Sequence, residues 1–129
     1  MKNKIQIEYT WSQFFKDMEK LIQAGLFYKK RIENVYPLPR GGLIPGVILS
    51  HALNVPLLLN EKEISEQTLI VDDISDTGAT LRELTEINPR APTATLWIDR
   101  DTECMPNIFF RIKEDGDWIV FPWEQQIKK

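Results

Sequence analysis

The most informative part of the chain reads Leu69-Ile70-Val71-Asp72-Asp73-Ile74-Ser75-Asp76-Thr77-Gly78-Ala79-Thr80-Leu81. It begins with an almost uninterrupted apolar run, which is typical of a central parallel strand buried on both faces. Two adjacent carboxylates end this run, a third follows at Asp76, and a helix is predicted from about Gly78 to Ile87. A strand that leads through a polar loop into a helix indicates an α/β fold.

The polar part of this stretch predicts a binding site. The start of a helix offers free N–H groups and a partial positive charge, which suit a phosphate, and Gly78 allows close approach of the backbone. The carboxylates of Asp72 and Asp73 would repel a bare phosphate, but they suit sugar hydroxyls or a hydrated Mg²⁺. We therefore expect a site for a phosphorylated sugar with a divalent cation. The alternative is that these acids are solvated loop residues and that Asp76 or Thr77 only caps the helix.

Strands and helices alternate along the rest of the chain. Thr10 and Gln13 form a predicted capping box for a first helix, which Gly25 is expected to end. The other predicted helices cover 43–53 and 78–87, and the predicted strands cover 32–38, 55–59, 68–71, 93–98, 108–112 and 118–121. This order favours a single domain, 1–129, with a mainly parallel central sheet flanked by helices.

Composition limits the chemistry that the chain can perform. The 129 residues carry a formal net charge of −3, which gives no general attraction to nucleic acid or to an anionic membrane. The only cysteine is Cys104 and the only histidine is His51, so neither an intrachain disulfide nor a Cys/His zinc site is available. The start of the chain has no apolar signal-peptide region, and a cytoplasmic protein is expected. Catalysis would have to use carboxylates, hydroxyls, backbone amides or a hard metal.

The stretch 69–81 resembles the phosphoribosyl-pyrophosphate (PRPP) signature of the type I phosphoribosyltransferases. The resemblance implies their Rossmann-like fold, and it implies that Asp72 and Asp73 bind the ribose hydroxyls with Mg²⁺ nearby. It implies that Asp76 faces the base or C1 of the sugar, so that these three acids form the catalytic set. The residues implied to cradle the 5′-phosphate are Asp76, Thr77, Gly78, Ala79 and Thr80.

A second loop joins a strand to a helix at Pro39-Arg40-Gly41-Gly42-Leu43-Ile44-Pro45-Gly46. Its glycines allow close approach of an anion, and the Arg40 guanidinium is a five-donor partner for oxygen anions. Taken alone, the pattern also fits a tight turn with a surface arginine. The loop resembles the pyrophosphate-binding loop of the same family, which implies that Arg40, Gly41 and Gly42 hold the leaving group and that the Arg40–Gly41 peptide is strained.

The C-terminal stretch Asp117-Trp118-Ile119-Val120-Phe121-Pro122-Trp123-Glu124 is similar to the short hood of the xanthine-guanine (6-oxopurine) branch. The resemblance implies that Trp118 stacks on the base and that backbone atoms near Ile119 read the base edge. An indole face suits a planar heterocycle. Alternatively, Trp118 and Trp123 are core or interface aromatics.

The chain departs from the family at two places. Where 6-oxopurine enzymes usually place a lysine that binds the exocyclic oxygen, this chain has Asp99 followed by Arg100. An acid there fits an amino-bearing ring better, unless Arg100 replaces the lysine; the two could also form only a surface ion pair. The second departure is the short segment 57–68, where family members carry a longer mobile hairpin that closes over PRPP.

The resemblance implies that the chain transfers the phosphoribosyl group of PRPP to a guanine-, xanthine- or hypoxanthine-like base. The products are a nucleoside monophosphate and pyrophosphate, as in purine salvage, and Mg²⁺ is the expected cofactor. A homodimer or homotetramer is implied, and a neighbouring subunit could cover the site that the short segment leaves open. The alternative is a regulatory protein that binds PRPP or a nucleotide without catalysis, and a third reading is a plain structural α/β domain.

Overall fold

The computed structural model describes residues 4–124. The strands are β1 (Gln6–Glu8), β2 (Asn34–Pro37), β3 (Thr68–Ser75), β4 (Thr93–Asp99), β5 (Arg111–Lys113) and β6 (Trp118–Val120); the helices are α1 (Trp11–Phe27), α2 (Leu43–Leu53) and α3 (Ala79–Ile87). Four strands form a parallel sheet in the order β2-β3-β4-β5, and β1 pairs in parallel with β6 in a separate two-stranded sheet. The parallel sheet flanked by helices confirms the predicted α/β, Rossmann-like fold.

The alternation of side chains along β3 divides the core between the two faces of the sheet. Leu69 and Val71 join a cluster that includes Phe14 of α1 and Leu49 of α2. Ile70 points to the opposite face and packs with residues of α3, among them Leu81. Burial on both faces explains the unbroken apolar run at the start of this strand, and it fixes α3 directly after the acidic end of β3.

Several of the predicted boundaries are wrong, among them the end of the first helix and the strand predicted over 55–59. The capping box of α1 forms as expected, but the helix continues past Gly25 to Phe27. Gly25 instead allows close packing of α1 on α2, since a Cβ atom there would lie 3.1 Å from the methyl groups of Leu53. The predicted strand 55–59 is reduced to an isolated bridge between Leu57 and Val35, because α2 ends in a left-handed residue, Asn54, that redirects the chain.

Strand β3 is longer than predicted and continues to Ser75. Its acidic residues therefore lie within the paired strand, where Asp72 is opposite Thr95 of β4. This matters for function because paired strands hold side chains more rigidly than a loop does. Among the helices of residues 4–124, none is both long enough and apolar enough to cross a membrane.

Candidate active site

The loop after β3 and the first turn of α3 form a concave cradle. Gly78 has a φ of 87°, a left-handed conformation that favours glycine, and it directly precedes α3. Among the described residues, none accepts a hydrogen bond from the amides of Gly78, Thr80 or Leu81, which are the free donors expected at a helix start. A cavity of about 170 Å³ opens here, lined by Asp72 and residues 74–81. The structure thus brings together every residue predicted to hold the 5′-phosphate.

A segment that the sequence analysis left without a role braces this cradle from behind. A Cβ atom on Gly78 would lie 2.6 Å from the backbone nitrogen of Cys104. The Ser75 hydroxyl lies 2.9 Å from the Thr102 hydroxyl and donates to the Cys104 carbonyl at 2.8 Å, while the Glu103 amide donates to the Thr77 carbonyl. The backbone of residues 102–104 therefore holds the loop in shape, and the Cys104 thiol has no part in this bracing.

Asp72 and Asp73 point their carboxylates into different cavities. Asp72 lines the phosphate cradle, whereas Asp73 lines two further cavities. One oxygen of each carboxylate accepts from the next backbone amide at 2.8 Å. Burial raises the pKa of both groups, and for Asp72 the charge of Asp73 raises the pKa further. The pair is thus suited to receive hydroxyl donors or a cation.

The loop after β2 lies directly against Asp73. Gly41 leaves no room for a side chain, because a Cβ atom would lie 2.6 Å from Asp73 Oδ1. The Gly42 amide is already bonded to the Leu38 carbonyl at 2.8 Å, so of the two glycines only Gly41 keeps a free amide among the described residues. The cis peptide bond of the loop joins Pro39 to Arg40, one bond earlier than the unusual peptide that the resemblance implied.

This loop borders the largest of the three cavities at the site. The cavity measures about 650 Å³ and is open to solvent; its lining residues are Arg40, Gly41, Leu43, Ile44, Asp73, Trp123 and Glu124. The Arg40 side chain is exposed and carries no ion pair within residues 4–124. A guanidinium and a free amide at an open cavity can accept a large anion.

The third cavity lies beside the C-terminal strand. It measures about 150 Å³, and its walls include Ile74, Asp76, Lys113, Trp118 and Ile119. The Trp118 side chain is 62% exposed, so its ring is free for stacking. The hydrogen bonds of Trp118 and Val120 are directed toward β1, which leaves the N–H and C=O of Ile119 on the opposite edge of β6. A planar base could thus stack on the Trp118 ring while its edge forms hydrogen bonds with the backbone N–H and C=O of Ile119.

Asp99 and Arg100, which were predicted to bind the base, do not line this cavity. Asp99 is buried, and both its oxygens are occupied: Oδ2 accepts from Lys113 Nζ at 2.6 Å and Oδ1 from the Asp101 amide at 2.8 Å. Arg100 points outward, where its guanidinium lies 3.3 Å from Glu114.

Lys113 is the cavity residue that the sequence analysis missed. Its Nζ atom contacts Asp99 and lies 3.2 Å from Asp76 Oδ1. Although burial opposes its charged form, these two acids raise the pKa of Lys113 above its usual value. The residue types alone carry no signal for it, because Ile112 is exposed and Lys113 is buried, the reverse of what their hydrophobicity predicts.

Comparison of the sequence with known proteins identifies phosphoribosyltransferases as similar proteins. No protein-family model matches the chain. Xanthine-guanine phosphoribosyltransferases from Nitratidesulfovibrio vulgaris Hildenborough and from Chromohalobacter salexigens are 27% and 25% identical to it. These alignments cover 92% and 95% of this chain and 85% and 86% of the relatives. Over most of its length, the chain is thus similar to type I phosphoribosyltransferases, among them enzymes of the xanthine-guanine branch.

Solved structures of type I phosphoribosyltransferases share the fold over nearly the whole chain. A purine phosphoribosyltransferase from Pyrococcus horikoshii Ot3 has a TM-score of 0.77 at 29% identity, covering 96% of this chain and 98% of that one. A xanthine-guanine-hypoxanthine phosphoribosyltransferase from Helicobacter pylori has a TM-score of 0.70 at 23% identity, covering 92% and 93%.

The donor set fits the Mg²⁺ ion implied for a type I phosphoribosyltransferase. Within residues 4–124, no group of three or more acids, histidines or cysteines is placed to hold a metal. Asp72 and Asp73 instead offer two hard carboxylates whose ionisation is opposed by burial. Mg²⁺ is typically bound by one or two carboxylates together with waters and substrate phosphates. The site therefore suits an ion that arrives with its substrate rather than a resident one.

The segment between α2 and β3 is compact, unlike the long hairpin expected of a type I phosphoribosyltransferase. It holds a single 3₁₀ turn, Glu61–Glu63. The Leu58 amide donates to the Val35 carbonyl at 2.7 Å, and Ile64 is buried, so both ends of the segment are packed against the sheet. The segment leaves both the phosphate cradle and the cavity beside Arg40, called the anion cavity below, open to solvent.

Proposed function

We propose that this chain transfers the phosphoribosyl group of PRPP to a 6-oxopurine base, giving a nucleoside monophosphate and pyrophosphate in purine salvage. The convergence of three cavities on two adjacent acids supports this most strongly. Asp72 lines the phosphate cradle, and Asp73 lines both the anion cavity and the base cavity. A substrate with a phosphate at one end, a larger anion at the other and a sugar between them matches this arrangement.

The assigned roles follow from what each group can donate or accept. Residues 76–80 hold the 5′-phosphate, with the free amides of Gly78 and Thr80 as donors, and Asp72 and Asp73 accept hydrogen bonds from the ribose hydroxyls. Arg40 and the Gly41 amide hold the pyrophosphate. Asp72 and Asp73 would also hold Mg²⁺, which neutralises and orients a pyrophosphate leaving group when it is bound.

Asp76 is placed to handle the proton of the incoming base. It lies at the junction of the phosphate cradle and the base cavity and is largely exposed, so a bound base can reach it. As the bond from C1 to pyrophosphate breaks, positive charge develops on the sugar ring, and the base nitrogen attacks. Asp76 accepts or positions the proton that this nitrogen must lose.

A homodimer or homotetramer is part of the proposal. The cavities are open in the single chain, and water must be kept from a developing cation. A second copy could supply the cover that the short segment 57–68 does not. Sedimentation or light scattering with and without PRPP and Mg²⁺ would measure the state; a monomer under all conditions during turnover would contradict this part.

A panel of bases tests the transfer reaction. The protein is incubated with PRPP, Mg²⁺ and either guanine, xanthine, hypoxanthine or adenine, and both pyrophosphate and nucleotide are measured. Equal amounts of the two products with at least one oxopurine support the proposal. PRPP binding without product from any base would contradict it and support the regulatory alternative, which the enzymatic relatives do not favour.

A further inference from the structure

A further cavity lies at the amino ends of the parallel strands, whereas the candidate active site lies at their carboxyl ends. It measures about 220 Å³ and is enclosed between the end of α1 and the starts of β3 and β4. Its apolar wall includes Ile32, Leu69 and Ile108. Among the described residues, none that lines this cavity also lines a cavity of the candidate active site. A ligand held here would therefore not occupy the place of PRPP or of the base.

Two arginines lie at the border between this cavity and a neighbouring one. Arg31 and Arg90 line both the cavity of about 220 Å³ and an adjacent, more polar cavity of about 400 Å³. Both residues are exposed, and within residues 4–124 neither forms an ion pair. Guanidinium groups bind phosphate through paired N–H donors. The border between the two cavities thus offers two unpaired cations to an oxygen anion.

The acids near the arginines limit the charge that a ligand can carry. Glu33 and Glu66 line the larger cavity, and Lys30 is the only further cation there among the described residues. The smaller cavity has no acid among its described lining residues. A polyphosphate chain would extend toward the two carboxylates and be repelled by them. One anionic group between the arginines is therefore favoured over several.

The smaller cavity suits a planar ring. Tyr28 lines it and is 41% exposed, so an aromatic side chain is accessible at the cavity. Asn107 also lines it, and its Oδ1 accepts from the amide and the hydroxyl of Thr93 at 2.9 Å and 3.1 Å. Within residues 4–124, the side-chain N–H groups of Asn107 have no acceptor, so they remain available as donors. An apolar wall with an aromatic residue and a few polar donors is typical of small-molecule sites.

We infer that these two cavities, called the amino-end cleft below, bind a planar ring that carries one phosphate group, as a nucleoside monophosphate does. The ring occupies the smaller cavity, and the phosphate lies between Arg31 and Arg90. The inference concerns a site separate from the candidate active site, and it does not depend on the proposed transfer reaction.

AMP is the probe for the wild-type protein, because an oxopurine nucleotide would also bind at the candidate active site as the reaction product. AMP is titrated into protein saturated with PRPP and Mg²⁺, and binding is followed by calorimetry and by ¹H–¹⁵N NMR spectra. We expect AMP to bind in the presence of PRPP and to shift the amide signals of Tyr28, Ile32 and Asn107. Displacement of AMP by PRPP, or shifts confined to residues 72–81, would overturn the inference.

Three further ligands test the parts of the inferred molecule under the same conditions. Adenosine lacks the phosphate, inorganic phosphate lacks the ring, and ATP adds charge that faces Glu33 and Glu66. We expect each to bind at least about tenfold more weakly than AMP. Inorganic phosphate that binds as tightly as AMP would indicate an adventitious ion only. Tighter binding of ATP or of single-stranded RNA than of AMP would also overturn the inference.

Removal of the two arginines tests the phosphate position. For the double variant Arg31→Gln/Arg90→Gln we expect the affinity for AMP to fall at least about tenfold, since charged hydrogen bonds are lost. The KM for PRPP should be unchanged. Lys16→Gln/Lys20→Gln removes the same charge from the exposed face of α1 and should bind AMP as the wild type does. Equal losses in the two double variants would indicate an effect of net charge and overturn the assignment.

The ring position is tested at Tyr28. Tyr28→Ala should weaken AMP binding several-fold and leave the binding of inorganic phosphate unchanged, because only the ring loses a contact. Phe27→Ala removes the neighbouring aromatic ring, which is 82% exposed and does not line the cleft, and should bind AMP as the wild type does. Unchanged AMP affinity in Tyr28→Ala would contradict the placement of the ring in the smaller cavity.

Discussion

Lys113 Nζ donates to Asp99 Oδ2 at 2.6 Å, between two residues that are register partners at the edge of the parallel sheet. Burial alone would disfavour the charged acid, but hydrogen bonds from Lys113 and from the Asp101 amide lower the pKa of Asp99. The pair is therefore ionised at neutral pH. Its energetic consequences can be measured by unfolding.

Removal of one partner should destabilise the protein more than removal of both charges. Lys113→Met leaves a buried, unpaired Asp99, which typically costs about 3–5 kcal/mol. The double variant Asp99→Asn/Lys113→Met has no buried charge at these positions, and we expect it to recover at least half of that loss. Urea unfolding followed by circular dichroism gives both free energies; a double variant no more stable than Lys113→Met would contradict the ion-pair account.

The left-handed Gly78 should be required for phosphate binding. In Gly78→Ala the new methyl group must adopt a φ near 87° and would collide with backbone at Cys104, so the loop has to move. We expect PRPP affinity to fall at least about tenfold, since the amides no longer point at one phosphate. Isothermal titration with PRPP and Mg²⁺ measures the change.

Gly116 provides a matched control for this substitution. It has a similar φ of 84°, but a Cβ atom there would meet only the flexible end of the Lys4 side chain. Gly116→Ala should therefore lose some stability through the same backbone strain and keep PRPP affinity. A comparable loss of PRPP affinity in both variants would indicate that strain, and not the shape of the cradle, explains the effect.

The phosphate cradle could be predicted from the sequence because the residues that form it are neighbours in the chain. The apolar run, the acids and the Thr-Gly turn of 69–81 are contiguous, so one strand, one loop and one helix start place them. Lys113 was missed because its position depends on the pairing of a three-residue strand with β4, a contact between distant parts of the chain. Strand β1 was missed for the same reason, since Gln6–Glu8 is too short for a pattern and pairs only with β6.

The acid Asp72 should make the ligand-free protein less stable as pH rises. Burial raises its pKa in the folded state, so the folded protein holds this proton more tightly than the unfolded chain does. The stability contribution is thus complete below about pH 4, the unfolded pKa, and is lost as pH rises toward the folded pKa. Asp72→Asn removes this loss and should be more stable than the wild type at pH 7 by about 1 kcal/mol or more.

Urea unfolding at several pH values in a chelating buffer checks this prediction. The difference between Asp72→Asn and the wild type should be small near pH 4 and should increase toward neutral pH. The variant should also fail to bind PRPP with Mg²⁺, which would show that the acid is kept for function at a cost in stability. A difference that does not change with pH would contradict the assigned cause.

Trp118 should contribute to base binding without contributing to the fold. Its ring is mostly exposed, and stacking of a base on an aromatic ring is worth about 1–3 kcal/mol. Trp118→Ala should raise the KM for the base about tenfold to a hundredfold, and Trp118→Phe should restore most of the loss. Phe27→Ala removes another exposed aromatic at the end of α1 and should change neither KM nor melting temperature; an unchanged KM in Trp118→Ala would contradict the stacking role.

Asp76 should affect the chemical step more than substrate binding. Asp76→Asn keeps the size and hydrogen-bonding reach of the side chain but removes its ability to take a proton, and such groups contribute about a hundredfold or more in rate. We expect kcat to fall by about that factor while the Kd for PRPP changes less than about threefold, because the cradle amides remain in place.

Lys113 lies 3.2 Å from Asp76, so part of the loss could come from a shifted lysine. The double variant Asp76→Asn/Lys113→Met separates the two effects: additive losses in kcat indicate independent roles, and a non-additive loss measures their coupling. Equal losses in kcat and in PRPP affinity for Asp76→Asn would show that the acid only supports the phosphate loop.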